Sequence, residues 1–120
     1  MKILVVDDSR AMRRIVSRTI RQAGFTGHEI LEAENGKEAL EIVKAENPDL
    51  ILSDWYMPEM TGIELLSALN DEEIEIPFGF VTSESTREMV EQATEGGAMF
   101  LLAKPFTADD MAQVLGAFVT

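Results

Sequence analysis

Four short apolar runs in this chain each end on a side chain that can do chemistry. Ile3-Leu4-Val5-Val6 runs into Asp7-Asp8, Leu50-Ile51-Leu52-Ser53 into Asp54, Phe78 to Val81 into Thr82, and a run from about Ala98 to Ala103 into Lys104-Pro105. A carboxylate can attack as a nucleophile or ligate a hard cation, a hydroxyl can donate to an anionic oxygen, and an ammonium can neutralise one. Three carboxylates brought within about 4 to 5 Å would repel by roughly 3 to 4 kcal/mol per pair at an effective dielectric near 20, so protons or a cation must relieve them. The chain has no cysteine, and its single histidine, His28, falls at the start of a run rather than at an end. Oxygen donors alone point to a hard divalent ion, and Mg²⁺ suits a site completed by water and phosphate oxygens. Between such an ion and Lys104 there is room for one phosphoryl group, with Asp54 as its attacking carboxylate and Thr82 as a donor to its oxygens.

Taken singly, each residue also has an ordinary structural role. Acids after a strand favour a helix start, and Asp8 or Ser9 would cap the helix that follows. A lysine before proline reads as a solvated loop charge, and a lone threonine as a cap. Their joint placement at four run ends is what favours a site.

The elements that must position these residues follow from the intervening pattern. The apolar runs lack alternation, as expected of strands covered on both faces of a parallel sheet. From Arg10 to about Ala23, Met12, Ile15, Val16, Thr19, Ile20 and Ala23 recur at helical spacing up to Gly24. His28 to Ala33 is a weaker strand suited to a sheet edge. Asn35 with Glu38 caps a helix that runs through Glu46 and stops before Pro48, and Thr61 with Glu64 caps another that buries Ile63, Leu65, Leu66 and Leu69. Acidic residues 71 to 75 form a solvated loop before Pro77 opens the next strand. A further helix carries Met89, Val90 and Ala93 inward and finishes at Gly96-Gly97. Thr107 with Asp110 starts the last, whose inward row is Met111, Val114, Leu115 and Phe118.

Five strands alternating with five helices predict an α/β doubly wound parallel sheet with right-handed crossovers. In such sheets the ligand site lies outside the carboxyl ends of the strands, which puts Asp7, Asp8, Asp54, Thr82 and Lys104 on one rim. Pro58 and Gly62 stop the strand before Asp54 and force a loop that crowns an exposed Asp54.

The 120 residues 1–120 read as a single domain. The formal charge of −12, from 22 acids against 10 bases, argues against a nucleic-acid partner and for basic, metallic or polar ones. Without cysteine there are no disulfides or thiolate metal sites, and the one early apolar run is cut off by Asp7, so neither a secretory signal nor a membrane span is expected. The expected location is the cytoplasm. Five of the bases lie in the first helix, with Arg10, Arg14, Arg18 and Arg21 along one side, either as a solvated face or as a docking patch for an acidic surface.

Over its whole length the chain resembles the receiver domain of two-component response regulators. The resemblance is carried by Asp7-Asp8, by Asp54 followed by the D-x-x-M-P-x-M-x-G pattern, by Thr82 and by Lys104-Pro105. It implies a flavodoxin-like sheet of order 2-1-3-4-5. It makes Asp54 the phosphoacceptor, and Asp8, Asp54 and the backbone carbonyl of Tyr56 the Mg²⁺ ligands, with Asp7 helping through water. Thr82 and Lys104 become the residues that follow the phosphoryl group, and the Lys104-Pro105 bond is expected to be cis. The implied partners are a histidine kinase, a phosphatase and a downstream protein target.

Met12 to Val16, Trp55 and Glu84 look most like the chemotaxis type, whose target is the flagellar switch. The chain departs from that type at Leu101, three residues before the lysine, where such receivers carry an aromatic side chain. Phe100 is adjacent but belongs to the opposite face of a strand. The alternative within the family is a relay intermediate or phosphate sink outside chemotaxis. An aspartyl-phosphate phosphatase of the haloacid dehalogenase kind would place its nucleophile after the first strand in a D-x-D arrangement. A flavin-binding module would need a neutral, hydroxyl-rich loop where Asp7-Asp8 stands. The reading is therefore a phosphorylation switch that turns over no metabolite.

Overall fold

The computed structural model describes residues 1–118, so the last two positions of the expected 1–120 unit lie outside the described residues. Strands and helices alternate as β1 (Lys2–Val6), α1 (Arg10–Gln22), β2 (Glu29–Ala33), α2 (Gly36–Glu46), β3 (Leu50–Ser53), α3 (Gly62–Asp71), β4 (Phe78–Thr82), α4 (Arg87–Gly96), β5 (Phe100–Ala103) and α5 (Ala108–Leu115). The five strands are parallel and ordered β2-β1-β3-β4-β5. The expected doubly wound, flavodoxin-like sheet is therefore the observed one.

Side chains alternate across the central strands into two apolar layers. Leu4, Val6, Ile51, Phe78 and Phe80 face α2, α3 and α4, where Ala39, Val43, Leu65, Leu66, Leu69, Met89 and Ala93 meet them. Ile3, Val5, Leu50, Leu52, Val81 and Leu102 face α1 and α5, against Val16, Ile20, Met111 and Leu115. Burial on both faces is why these strands show no polar alternation in sequence.

Helix ends follow their caps. Ser9, Asn35, Thr61, Thr86 and Thr107 each accept from the backbone N–H three residues on, which satisfies one of the donors a helix start leaves open. Thr61 with Glu64 and Thr107 with Asp110 complete reciprocal capping boxes. The fifth strand starts two residues later than its apolar run. Gly97, at φ 96°, turns the chain, and the Ala98 N–H closes on the Ala93 carbonyl at 2.9 Å, so Ala98 belongs to the end of α4. Phe118 lies beyond α5 and still packs on the α1/α5 layer.

Phe100 and Leu101 point to opposite layers, Phe100 toward Phe118 with ring centroids 5.9 Å apart, and Leu101 toward the α2 to α4 side. Phe100 pairs across the ladder with Gly79, and its ring occupies the space that a side chain on Gly79 would take.

Candidate functional site

The backbone delivers the acids to the rim with little slack. The Asp54 N–H donates to the Val6 carbonyl at 2.9 Å and the Asp7 N–H to the Ala33 carbonyl at 3.1 Å, so the ladder continues to the last residue before each loop. The Lys104 N–H donates to the Thr82 carbonyl at 2.8 Å, just before the cis Lys104–Pro105 bond that turns the chain toward α5. Below Asp54 the crowning loop is pinned, since the Gly62 N–H reaches the Trp55 carbonyl at 2.7 Å. A β-carbon at Gly62 would collide with the Asp54 carbonyl, so only glycine allows α3 to start this close to the strand end. Trp55 is buried with its ring centroid 4.7 Å from that of Phe80, and Met57 is buried beside it, whereas the Tyr56 side chain is exposed.

The side chains converge. Asp7, Asp8 and Asp54 each offer one carboxylate oxygen, and these atoms all lie within 4.8 Å of one another. Lys104 Nζ stands 3.2 Å from Asp7 Oδ2 and 3.6 Å from Asp54 Oδ2. Asp54 is not the exposed group that the loop pattern implies, because its side chain is only 14 % accessible, with Asp7 at 5 % and Lys104 at 17 %. The Lys104 ammonium, the Asp7 carboxylate and the Trp55 N–H stand against it. Thr82, the last residue of β4, is fully buried, and its Oγ1 has no hydrogen-bond partner. An unpaired buried hydroxyl is costly, which marks this atom as one that a ligand oxygen could satisfy. Among the described residues the Tyr56 backbone carbonyl likewise accepts no hydrogen bond.

Burial pushes the Asp54 carboxyl above its ordinary value of 3.8. Lys104 pulls it back down, the Asp7 carboxylate pushes it up again, and the Trp55 N–H, 2.7 Å from Oδ1, favours the ion. The balance is a carboxylate held at a cost that a further cation would lower. A donor set of oxygens alone, three of them anionic, fits a hard divalent ion such as Mg²⁺.

The pattern of residue types did not show Arg13 as part of this neighbourhood. Its guanidinium donates through Nη1 to the Asp7 carbonyl at 2.7 Å and through Nε to Glu32 Oε1 at 2.9 Å. The signal was its place on the helix. Arg10, Arg14, Arg18 and Arg21 are exposed, whereas Arg13 lies in the row of Ser17 and the buried Ile20.

Residues 3–116 match the model of the response regulator receiver domain, and the chain belongs to that family. Among its relatives is a chemotaxis protein CheY of Pseudomonas aeruginosa, 43% identical over 110 residues that span 90% of this chain and 87% of the relative. A chemotaxis protein CheY-3 of Vibrio cholerae is 40% identical over 117 residues, 96% of this chain and 88% of that one. Among solved structures, the Vibrio cholerae chemotaxis protein CheY4 superposes with a TM-score of 0.86 at 33% identity, covering 98% of each chain.

Proposed function

We propose that this receiver, acting as a single unit over residues 1–120, is a phosphorylation switch whose acceptor is Asp54. The observation that carries the reading is the meeting of the Asp7, Asp8 and Asp54 oxygens within 4.8 Å of one another, beside the Lys104 ammonium. The donor is a phosphohistidine of a histidine kinase, or a small acyl phosphate. An Asp54 carboxylate oxygen forms the new bond to phosphorus, and the bond from phosphorus to the histidine nitrogen or acyl oxygen breaks, its electron pair leaving with that group. Asp8, Asp54 and the Tyr56 carbonyl would hold Mg²⁺, with Asp7 acting through water. The ion when bound supplies positive charge for the phosphoryl oxygens.

Lys104 supplies a second positive charge beside the acids. It now pairs with Asp7 and Asp54, so phosphorylation offers its ammonium a third anion to choose. Thr82 Oγ1, buried without a partner, gains an acceptor when it turns toward a phosphoryl oxygen. Movement of Thr82 and the loop after β4 would then alter the face built from α4, β5 and α5 and its affinity for a protein target. The chain accelerates its own phosphorylation and hydrolysis and converts no metabolite, so a phosphatase acts on it as a partner. Nucleic acid has no role in this scheme. The setting is the cytoplasm, and no helix among the described residues is long and apolar enough to cross a membrane.

Likeness to chemotaxis proteins over most of both chains supports chemotaxis as the pathway and the flagellar switch as the target. Leu101 favours a second reading. With a leucine facing the α2 to α4 layer where chemotaxis receivers carry an aromatic, the protein would serve as a relay intermediate or phosphate sink. Acetyl phosphate or beryllofluoride with Mg²⁺, followed through Trp55 fluorescence, tests the common core of both. The expected result is a change in wild type that Asp54→Ala abolishes, and equal responses in the two proteins would place the modification elsewhere.

A further inference from the structure

We infer that Arg13 is a positioning residue for the cation site: it fixes the peptide plane between Asp7 and Asp8, and Glu32 holds Arg13 in place. The inference rests on the Mg²⁺-dependent reading above and adds a residue to it. The peptide unit is planar, so the direction of the Asp7 carbonyl sets the direction of the Asp8 N–H and, through it, the start of the Asp8 side chain. The β1–α1 turn is short. Within it Asp7 is already held by its N–H to the Ala33 carbonyl at 3.1 Å, and by Oδ1, which accepts from the Ser9 N–H at 2.9 Å. Its carbonyl is taken by Arg13 Nη1 at 2.7 Å. Asp8 is exposed and makes no side-chain hydrogen bond among the described residues, so its aim depends on the backbone that carries it.

The guanidinium is suited to this task. Its planar fork contacts the Asp7 carbonyl on β1's end with one nitrogen and Glu32 on β2 with another, while its side chain is only 13 % accessible. Glu32, Ala33, Glu34, Glu38 and Arg13 line one polar hollow beside the acidic cluster. The salt link therefore ties the sheet edge to the turn that aims Asp8. Supporting groups around metal ligands typically change affinity by about ten- to a hundredfold when lost.

Electrostatics and positioning predict opposite signs here, which makes the role testable. Deleting a positive charge beside a cation site strengthens cation binding by Coulomb's law alone, most visibly at low salt. Losing the clamp weakens it.

Mg²⁺ affinity would be measured by calorimetry on metal-free wild type, Arg13→Met, Arg13→Lys and Glu32→Gln, with Lys2→Met as a control for loss of a distant surface pair to Glu46. The expected result is roughly tenfold weaker binding in Arg13→Met, weakening also in Arg13→Lys, a smaller loss in Glu32→Gln and none in Lys2→Met. At saturating Mg²⁺ the rate with acetyl phosphate should return to the wild-type value in all of them, with only the half-saturating Mg²⁺ concentration moved. Equal or tighter Mg²⁺ binding in Arg13→Met would overturn the inference while leaving the switch intact. Should Arg13→Met not fold, Arg13→Lys decides, because it keeps the charge and loses the planar fork, and unchanged affinity there counts against the clamp. Wild type that takes up no Mg²⁺, or takes it up as well with Asp8→Ala, would overturn the underlying reading and this one with it.

Discussion

Asp54 is a carboxylate held where its ionisation is opposed by burial and by Asp7. Its folded-state pKa is raised above 3.8, so the folded protein binds the proton more tightly than the unfolded chain does. The stability gained from that proton is present in full below 3.8 and is lost as pH rises through the raised folded value. At neutral pH without metal the ionised group is therefore a cost. Asp54→Asn keeps an oxygen to accept from the Trp55 N–H and removes the charge. It should raise metal-free stability at pH 7, seen in denaturant melts with chelator, and cancel the further gain from Mg²⁺. Thr82 offers a matching test, because its buried hydroxyl is unpaired. Thr82→Val should stabilise the metal-free protein by about 1 kcal/mol, the order of cost of one unsatisfied polar group, while blunting the Trp55 response to beryllofluoride.

At the scale of elements, caps and strand ends were legible in sequence because their causes are local. Asn35, Thr61 and Thr107 begin helices where their side chains can reach a backbone donor three residues on. Glu64 reports one such cap in solution, since hydrogen bonds from the Thr61 N–H and Oγ1 lower its pKa from 4.5. The contribution of this cap is present above 4.5 and lost as pH falls through the lowered folded value. Thr61→Val should move the Glu64 titration, followed by carboxyl NMR, back toward 4.5. Strand order, by contrast, is a choice among pairings that no local run contains, and it came only with the family resemblance. Asp54 could be placed at a rim but not at its depth, because the Lys104 and Asp7 side chains that stand against it arrive from distant parts of the chain. Arg13 was hidden for a related reason: its partners, Asp7 just past the end of β1 and Glu32 on β2, are brought together only by the sheet.

Taken whole, the molecule carries a formal charge of −12, with the exposed arginines Arg10, Arg14, Arg18 and Arg21 gathered on α1. Self-repulsion of that size is screened by any salt, so sodium chloride should raise the melting temperature gradually. Millimolar Mg²⁺ should raise it beyond a sodium control of equal ionic strength, and Asp8→Ala should lose only that excess. Melting curves that coincide for the two salts in wild type would mean the acids take no specific ion. One further consequence belongs to the β4–β5 edge of the sheet, where the bare Cα of Gly79 lies beneath the Phe100 ring. Bulk here is shared between neighbouring strands, so neither position can change size alone: a side chain at residue 79 evicts the ring, and loss of the ring leaves a void. Gly79→Leu and Phe100→Gly should each weaken the protein, and the two together should recover much of the loss, so descendants of this chain would be expected to trade the pair as a unit.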